Sequence, residues 1–539
     1  MTSVTLDPLA WPVVTAAAQT NPRNAANTGP NAGPSNVIVV LLDSLNRHLL
    51  GAYGSAEFDT PNLDRFARVA VRFDQHYTGS LPCMPARHDL LVGALDFLWR
   101  PWGSIEVWEE PLTAALRRVG VTTKLVTDHP HLFEVGGENY HCDFTAWDYQ
   151  RGHESDHWRT RADPSWIGAP AFGREGMPYD RSRGWFRGEE DFPGPRVMRE
   201  AARWVEQEAP AHDRFLLFID EFDPHEPFDT PDPYASMYDD DWVGPHLVWP
   251  PYAIGAVRDG IISERDARQI RAQYGGKLTM IDRWFGVLLD AVDRSASAAS
   301  TAVIVCTDHG HYLGEKDTWG KPQSPVLEPL GHTPMLVRWP GVEPGMRTAL
   351  TTNVDLHATL LDVFGAGDEA AHRTHGRSLL PVITEAATTV REWALSGVWG
   401  REVHLLAQAR PTSGVVKYAR APEGANEPLV MLSNRWSTMP ISSFPDFRLP
   451  PPDGRATIGR MPGSEVPVLR QPFADGDLIP FWGYGKFAYG TVCFDVADDP
   501  NEERDRSADA LGKEHAALLH DALREIEAPE EQFVRLGYA

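Results

Sequence analysis

Asn36-Val37-Ile38-Val39-Val40-Leu41-Leu42 is an apolar, largely β-branched run that stops at Asp43. Such a run, with no alternation of apolar and polar residues, predicts a strand buried on both faces. Residues 215–220 and 301–307 read the same way, and the second run is followed directly by Asp308. Helical signals lie between and around them. Thr60-Pro61 with Asp64 in the first turn predicts an N-cap and an N1 proline for a helix reaching about residue 70. Residues 110–119 predict a helix closed by Gly120 and followed by a strand over 121–127. Further on, a long helix is expected over about 263–293, a short strand over 336–339 and a helix over 353–364 stopped by Gly365. This alternation predicts an α/β fold with a large, mostly parallel sheet sandwiched by helices. Ligands gather at the carboxyl ends of such strands. Asp43 and Asp308 therefore stand together at one edge of the sheet.

The chain has 539 residues, enough for a large core. Three regions are expected: a poorly ordered tail over 1–35, a catalytic α/β domain over 36–393, and a smaller C-terminal α+β subdomain over 394–539. The last region breaks into short strands, prolines and loops before a helix from about 513 to 526, which predicts a small antiparallel sheet with a terminal helix. A formal net charge of −25 argues against nucleic acid as a partner, and leaves room for a small anionic ester in a local cationic site. The four cysteines, Cys83, Cys142, Cys306 and Cys493, lie far apart and indicate neither a disulfide framework nor a cysteine zinc site. Residues 9–18 are mildly apolar, with no basic residue before them, a proline inside them and too little length to span a bilayer. The expectation is a soluble, cytoplasmic protein with no membrane partner; a homo-oligomer is allowed.

Cys83-Met84-Pro85-Ala86-Arg87 places a cysteine before a proline that suits the first turn of a helix running to about residue 91 and stopped by Gly93. Free amides at that helix start favour an anion, and Arg87, one turn on, lies on the same face. The run continues through His88-Asp89-Leu90-Leu91-Val92-Gly93, with Leu seven and Gly ten residues after the cysteine. Downstream come Asp308-His309-Gly310-His311, Phe222-Asp223-Pro224-His225-Glu226-Pro227, and Lys321 after Trp319-Gly320. Together these segments resemble the formylglycine-dependent sulfatases of the alkaline-phosphatase-like superfamily, near the phosphonate monoester hydrolases. The likeness extends over most of residues 36–507.

That resemblance implies that Cys83 is converted to 3-oxoalanine (formylglycine) by a formylglycine-generating enzyme, giving an aldehyde whose hydrate is the nucleophile. A gem-diol has a chemical advantage: after one hydroxyl attacks sulfur, loss of a proton from the other re-forms the aldehyde and expels sulfate, in two easier steps. The resemblance further implies one divalent metal ion held by Asp43, Asp308, His309 and residue 83. Calcium is the first choice and manganese the next, because the imidazole of His309 draws the preference toward a softer ion. Arg87 and Lys321 balance charge, and His225 meets the bridging oxygen of the substrate as hydrogen-bond donor or general acid. Two departures stand out. Ser44 occupies a position where sulfatases commonly have another metal-binding Asp. Thr127-Asp128-His129-Pro130-His131 replaces a family Gly-Lys-Trp-His segment, so that Asp128 takes the place of a substrate-binding lysine and His129 or His131 that of the base. His332 is a further candidate to reach the substrate, and the tryptophan-rich stretches 99–108 and 147–186 are candidate walls of an apolar pocket. The implied function is hydrolysis of the S–O bond of a small aryl or alkyl sulfate monoester. The alternatives are a phosphonate monoester or phosphodiester hydrolase with the same nucleophile and, more remotely, a non-catalytic sulfatase-like binding protein.

Overall fold

The computed structural model describes residues 33–162, 178–322, 325–369, 374–408, 414–435, 454–474, 477 and 490–539. The predicted central strand spans Asn36–Leu42 and is buried along its whole length. Its side chains divide by parity, as a pleated strand requires. Val37, Val39 and Leu41 enter one hydrophobic core, and Ile38, Val40 and Leu42 enter a second on the opposite face. The strand pairs in parallel with Phe215–Glu221 on one side and Thr301–Cys306 on the other.

These three strands are the middle of an eight-stranded sheet. Its order is Gly345–Arg347, Val71–Phe73, Met335–Arg338, Thr301–Cys306, Asn36–Leu42, Phe215–Glu221, Thr122–Thr127 and Ala146–Tyr149. Only Met335–Arg338 runs against the others. Helices Cys83–Val92, Leu112–Arg118 and Asn353–Val363 supply Leu90, Leu116 and Leu360 to the first core. Helices Pro61–Ala67, Pro193–Gln207 and Glu264–Arg294 supply Phe66, Val197 and Leu278 to the second. The expected α/β sandwich is therefore the observed one.

Local chemistry sets the helix ends. Ser263 caps the long helix, accepting from the amide of Asp266. Thr60 does not cap its helix as expected. The amides of Asn62 and Leu63 instead donate to the carboxylate of Asp282, at 3.0 and 2.7 Å, so the long helix satisfies the short one's free donors. Gly93 ends the helix that starts at Cys83 with a φ of 78°. A Cβ there would lie 2.5 Å from the ring of His357, which only glycine avoids.

Strands Trp393–Val398, Val403–Gln408, Val415–Arg420 and Val492–Asp495 form an antiparallel sheet in the C-terminal region, and Ser80–Leu81 joins its edge in parallel. The residues just before Cys83 thus belong to the second sheet. Among the described residues no helix is long and apolar enough to cross a membrane.

Ile38 sits at the centre of the large sheet, between Leu217 and Val303, with no exposed surface. Ile38→Ala is expected to destabilise the protein by about 2–5 kcal/mol. A denaturant midpoint unchanged from that of the native chain would contradict this packing.

Candidate active site

The edge formed by the carboxyl ends of the central strands is where the chemistry collects. Asp43 follows Asn36–Leu42, Asp308 follows Thr301–Cys306 by two residues, and Asp220 lies near the end of Phe215–Glu221. Ser44 adopts a left-handed φ of 62°. In that conformation its hydroxyl donates to Asp43 Oδ1 at 2.8 Å and its amide to Asp308 Oδ1 at 3.1 Å. Ser44 thus orients both acids. Thr78 Oγ1 and Asn353 Nδ2 donate to the carbonyl of Asp308, at 2.7 and 3.0 Å, and fix the following turn.

His309 donates from Nδ1 to the carbonyl of Gly310 at 2.8 Å. That bond leaves the lone pair on Nε2, which is buried, has no hydrogen-bond partner and lies 3.4 Å from Asp308 Oδ2. Burial pushes the imidazole down to about 4, which keeps it neutral, the form a metal binds. Cys83 is the first residue of its helix, and its sulfur lies 2.7 Å from Lys321 Nζ. One donor atom from each of Asp43, Cys83, Asp308 and His309 lies within 4.8 Å of the others.

Arg87 is buried behind this group and grips three carboxylates. Its Nη2 is 2.9 Å from Asp43 and 2.6 Å from Asp220, its Nε donates to the other Asp220 oxygen at 2.9 Å, and its Nη1 is 2.8 Å from Asp308. Three carboxylates face two cations, Arg87 and Lys321, which leaves one negative charge in excess when all three are ionised. Burial and the neighbouring Asp308 push the Asp43 carboxyl well up. Asp308 goes the other way: against its own burial, His309, Arg87 and Lys321 hold it well below the usual carboxylate range. An unpartnered neutral imidazole beside excess negative charge fits a divalent cation.

The sequence model of the sulfatase family matches residues 35–366. The chain belongs to the sulfatase family. It is thus a sulfuric ester hydrolase by class. It is similar to a choline-sulfatase of Rhizobium meliloti, 26% identical, with 66% of this chain and 73% of that protein aligned. It is similar also to an arylsulfatase of Clostridium perfringens, at 23% identity, 66% of this chain and 80% of the other. Among solved structures, the phosphonate monoester hydrolase of Agrobacterium radiobacter shares the fold, with a TM-score of 0.58 at 19% identity, over 92% of this chain and 95% of that one.

Around Cys83 the structure sorts the remaining candidates. His129 comes close: Nε2 is 3.7 Å from Asp43 Oδ2, and neither ring nitrogen has a hydrogen-bond partner. Burial, then Arg87, push it well down, so it is a neutral imidazole. His131 does not suit a base. Its Nδ1 is 2.9 Å from Glu134 and its Nε2 3.2 Å from Glu154, and against the effect of burial these carboxylates push it up to about 9. At neutral pH it is an imidazolium with both protons engaged. His225 donates from Nδ1 to the carbonyl of Glu226 at 2.7 Å and stacks on Phe222.

Asp128 and His332, both expected to contact substrate, are engaged elsewhere in the structure. Asp128 accepts from the amide of Phe222 at 2.8 Å, and burial with the nearby Asp223 pushes its carboxyl well up. A buried carboxyl held by the backbone amide of Phe222 is turned away from the substrate role expected of it. His332 has Nδ1 2.5 Å from Glu328 and Nε2 2.7 Å from the carbonyl of Asp74, and its ring stacks on Tyr77. No ring nitrogen remains for a substrate. Of the tryptophans, Trp102 meets His131 edge-on at 5.0 Å, while Trp99 is buried in the C-terminal core. Trp147 and Trp185 are half exposed. Trp166 lies outside the described residues. Asp220 was not foreseen, although an acid near the end of a third apolar strand repeats the signal given by Asp43 and Asp308.

The His131 pairing has a pH signature. Folding raises this group from 6.5 to about 9, so its stabilising contribution is complete below 6.5 and is lost as pH rises through 9. His131→Gln is expected to melt lower than the native chain at pH 6, with the gap closing by pH 10. A gap that widens with pH would contradict the assignment.

Proposed function

We propose that the chain hydrolyses the S–O bond of a small organic sulfate monoester, with residue 83 as formylglycine and one divalent cation held by Asp43, Asp308, His309 and residue 83. The observation that carries this reading is Cys83 at a helix start, 2.7 Å from Lys321 Nζ and within 4.8 Å of three metal-type donors. When present, the cation supplies Lewis acidity and the aldehyde hydrate supplies the attacking hydroxyl. A formylglycine-generating enzyme is the maturation partner this requires.

The chain's own residues have separable tasks. Arg87 fixes Asp43 and Asp308 in place through its fork of hydrogen bonds, with Asp220 as its bidentate partner. Lys321 presents a fixed positive charge where a sulfuryl oxygen sits beside residue 83. His129, neutral and with free ring nitrogens, takes a proton from the group at position 83. His225 Nδ1 already donates to Glu226, so Nε2 donates only when the ring carries a second proton. It therefore serves the leaving oxygen as a general acid.

A second reading, phosphonate monoester hydrolysis by the same nucleophile, draws support from the Asp308-His309 pair and from Asp128 in place of the family lysine. Assay of 4-nitrophenyl sulfate beside a phenyl phosphonate monoester separates the two. Faster turnover of the sulfate is expected, and faster turnover of the phosphonate would reverse the order of the readings.

Cys83→Ala is expected to fall below about 0.1% of native turnover while melting as the native protein does; retained activity would exclude residue 83 as nucleophile. Chelation is expected to remove activity, and calcium or manganese to restore it. Full activity after exhaustive chelation, with metal content verified as nil, would remove the cation from the account.

A further inference from the structure

His225 is flanked by two buried carboxylates, and one of them arrives on a loop anchored for the purpose. Glu154 follows the edge strand Ala146–Tyr149. Two residues on, Asp156 accepts from Arg151 at 2.7 Å and from the amide of Gly152 at 2.6 Å. His153 Nε2 lies 2.7 Å from Asp223 Oδ1, which Lys277 Nζ also grips at 2.6 Å. Asp223 stands two residues before His225, so one carboxylate fastens the Glu154 loop to the His225 loop. Glu154 itself has a φ of 27°, in a region that non-glycine residues rarely occupy and that commonly marks function.

This strained backbone aims the carboxylate inward. Glu154 Oε2 is 3.2 Å from His131 Nε2. A Glu154 oxygen, a Glu226 oxygen and a ring nitrogen of His225 all lie within 4.8 Å of one another, and all three residues are buried. Glu226 Oε2 is 3.4 Å from His225 Nδ1 and 3.2 Å from His311 Nε2, and its Oε1 accepts from the hydroxyl of Tyr252. The other groups that face His225 are the Lys321 ammonium, the neutral His129 and the ring of Phe222.

A general acid must hold its proton until the leaving group needs it. Burial, with Lys321 adding to it, pushes the His225 ring well down; Glu226 and Glu154 are the groups that oppose this. We propose that Glu154, together with Glu226, is a positioning residue that offsets the burial of His225 and so eases delivery of its second proton to a leaving oxygen, and that the enzyme is thereby fitted to unactivated alkyl sulfates. The inference rests on the reading of His225 as the acid. As a hydroxyl oxygen of hydrated residue 83 bonds to sulfur and releases its proton, the S–O bond to the alkyl group breaks and its electron pair goes to the alkoxide oxygen. The Nε2 proton passes to that oxygen, a neutral alcohol leaves, and the ring regains its proton from water. An aryl leaving group with a low pKa has little need of that proton.

The test compares butyl sulfate with 4-nitrophenyl sulfate on the matured, metal-loaded enzyme. Glu154→Gln and Glu226→Gln are each expected to lower kcat/KM for butyl sulfate about tenfold, with 4-nitrophenyl sulfate within about threefold of native. The alkaline limb of the butyl sulfate profile is expected to move about one pH unit lower, because loss of a carboxylate releases the His225 proton sooner. Glu154→Asp, which keeps the charge, is expected to leave the limb in place. Equal losses on both substrates, or an unmoved limb in variants that melt normally, would overturn the inference. So would a rise in KM confined to choline sulfate, which would make Glu154 a contact for a cationic leaving group. His225→Ala in parallel separates the failures. If it discriminates between the substrates and the glutamate variants do not, this inference alone falls; if it spares both, the acid assignment falls and takes the inference with it.

Discussion

One buried guanidinium holds the centre of this protein together. Arg87 ties the ends of three adjacent strands, through Asp43, Asp220 and Asp308, to the helix that begins at Cys83. Its Nη1 also donates back to the carbonyl of Cys83 at 3.2 Å. A charge buried this deeply persists only when paired, and loss of one partner from such a cluster costs about 3–5 kcal/mol because the others are left uncompensated. The cluster is therefore rigid, and rigidity is what a nucleophile and its metal ligands require. The same geometry sets three carboxylates against two cations, Arg87 and Lys321.

The helix that begins at Cys83 is held from both sides. Before it, Ser80–Leu81 is an edge strand of the C-terminal sheet; behind it, Leu90, Leu91 and Val92 pack into the core of the large sheet. Asp89, on the same helix, accepts from the amide and hydroxyl of Ser80 at 2.6 and 2.7 Å and closes the turn between them. The C-terminal region thus supports the position of residue 83 through the strand Ser80–Leu81. Glu328 extends the same theme: it joins His332 to Lys417, which in turn reaches Glu502. His332, a residue that sequence spacing offered to the substrate, is a strut between the two sheets.

The central strands and the long helix were legible because each carries a long, uniform signal, seven apolar residues at Asn36–Leu42 or a capped helix of 31 residues at Glu264–Arg294. The edge strands Gly345–Arg347 and Ala146–Tyr149 were not, since they are three and four residues long and partly exposed, too short for any periodicity. Within the site, Asp43, Cys83, Arg87, Asp308, His309 and Lys321 announced themselves through local motifs. Asp220 and Glu154 did not, because their roles exist only through partners distant in sequence. Asp128 misled for the related reason that its backbone partner, Phe222, is 94 residues away. A glutamate four residues before His332 was the available hint that this histidine was already engaged.

The proposed chemistry depends on the chemical state of residue 83, beside which Lys321, Asp43, Asp308 and His309 are gathered. As a cysteine it is poorly suited to attack: burial and Asp43 push its thiol well up, so the thiolate is suppressed. The most direct measurement is the mass of the peptide bearing residue 83, from protein expressed with a formylglycine-generating enzyme and showing turnover. The prediction is a loss of about 18 Da relative to the cysteine peptide, as expected for conversion of a thiol to an aldehyde. An unmodified cysteine in fully active protein would contradict it.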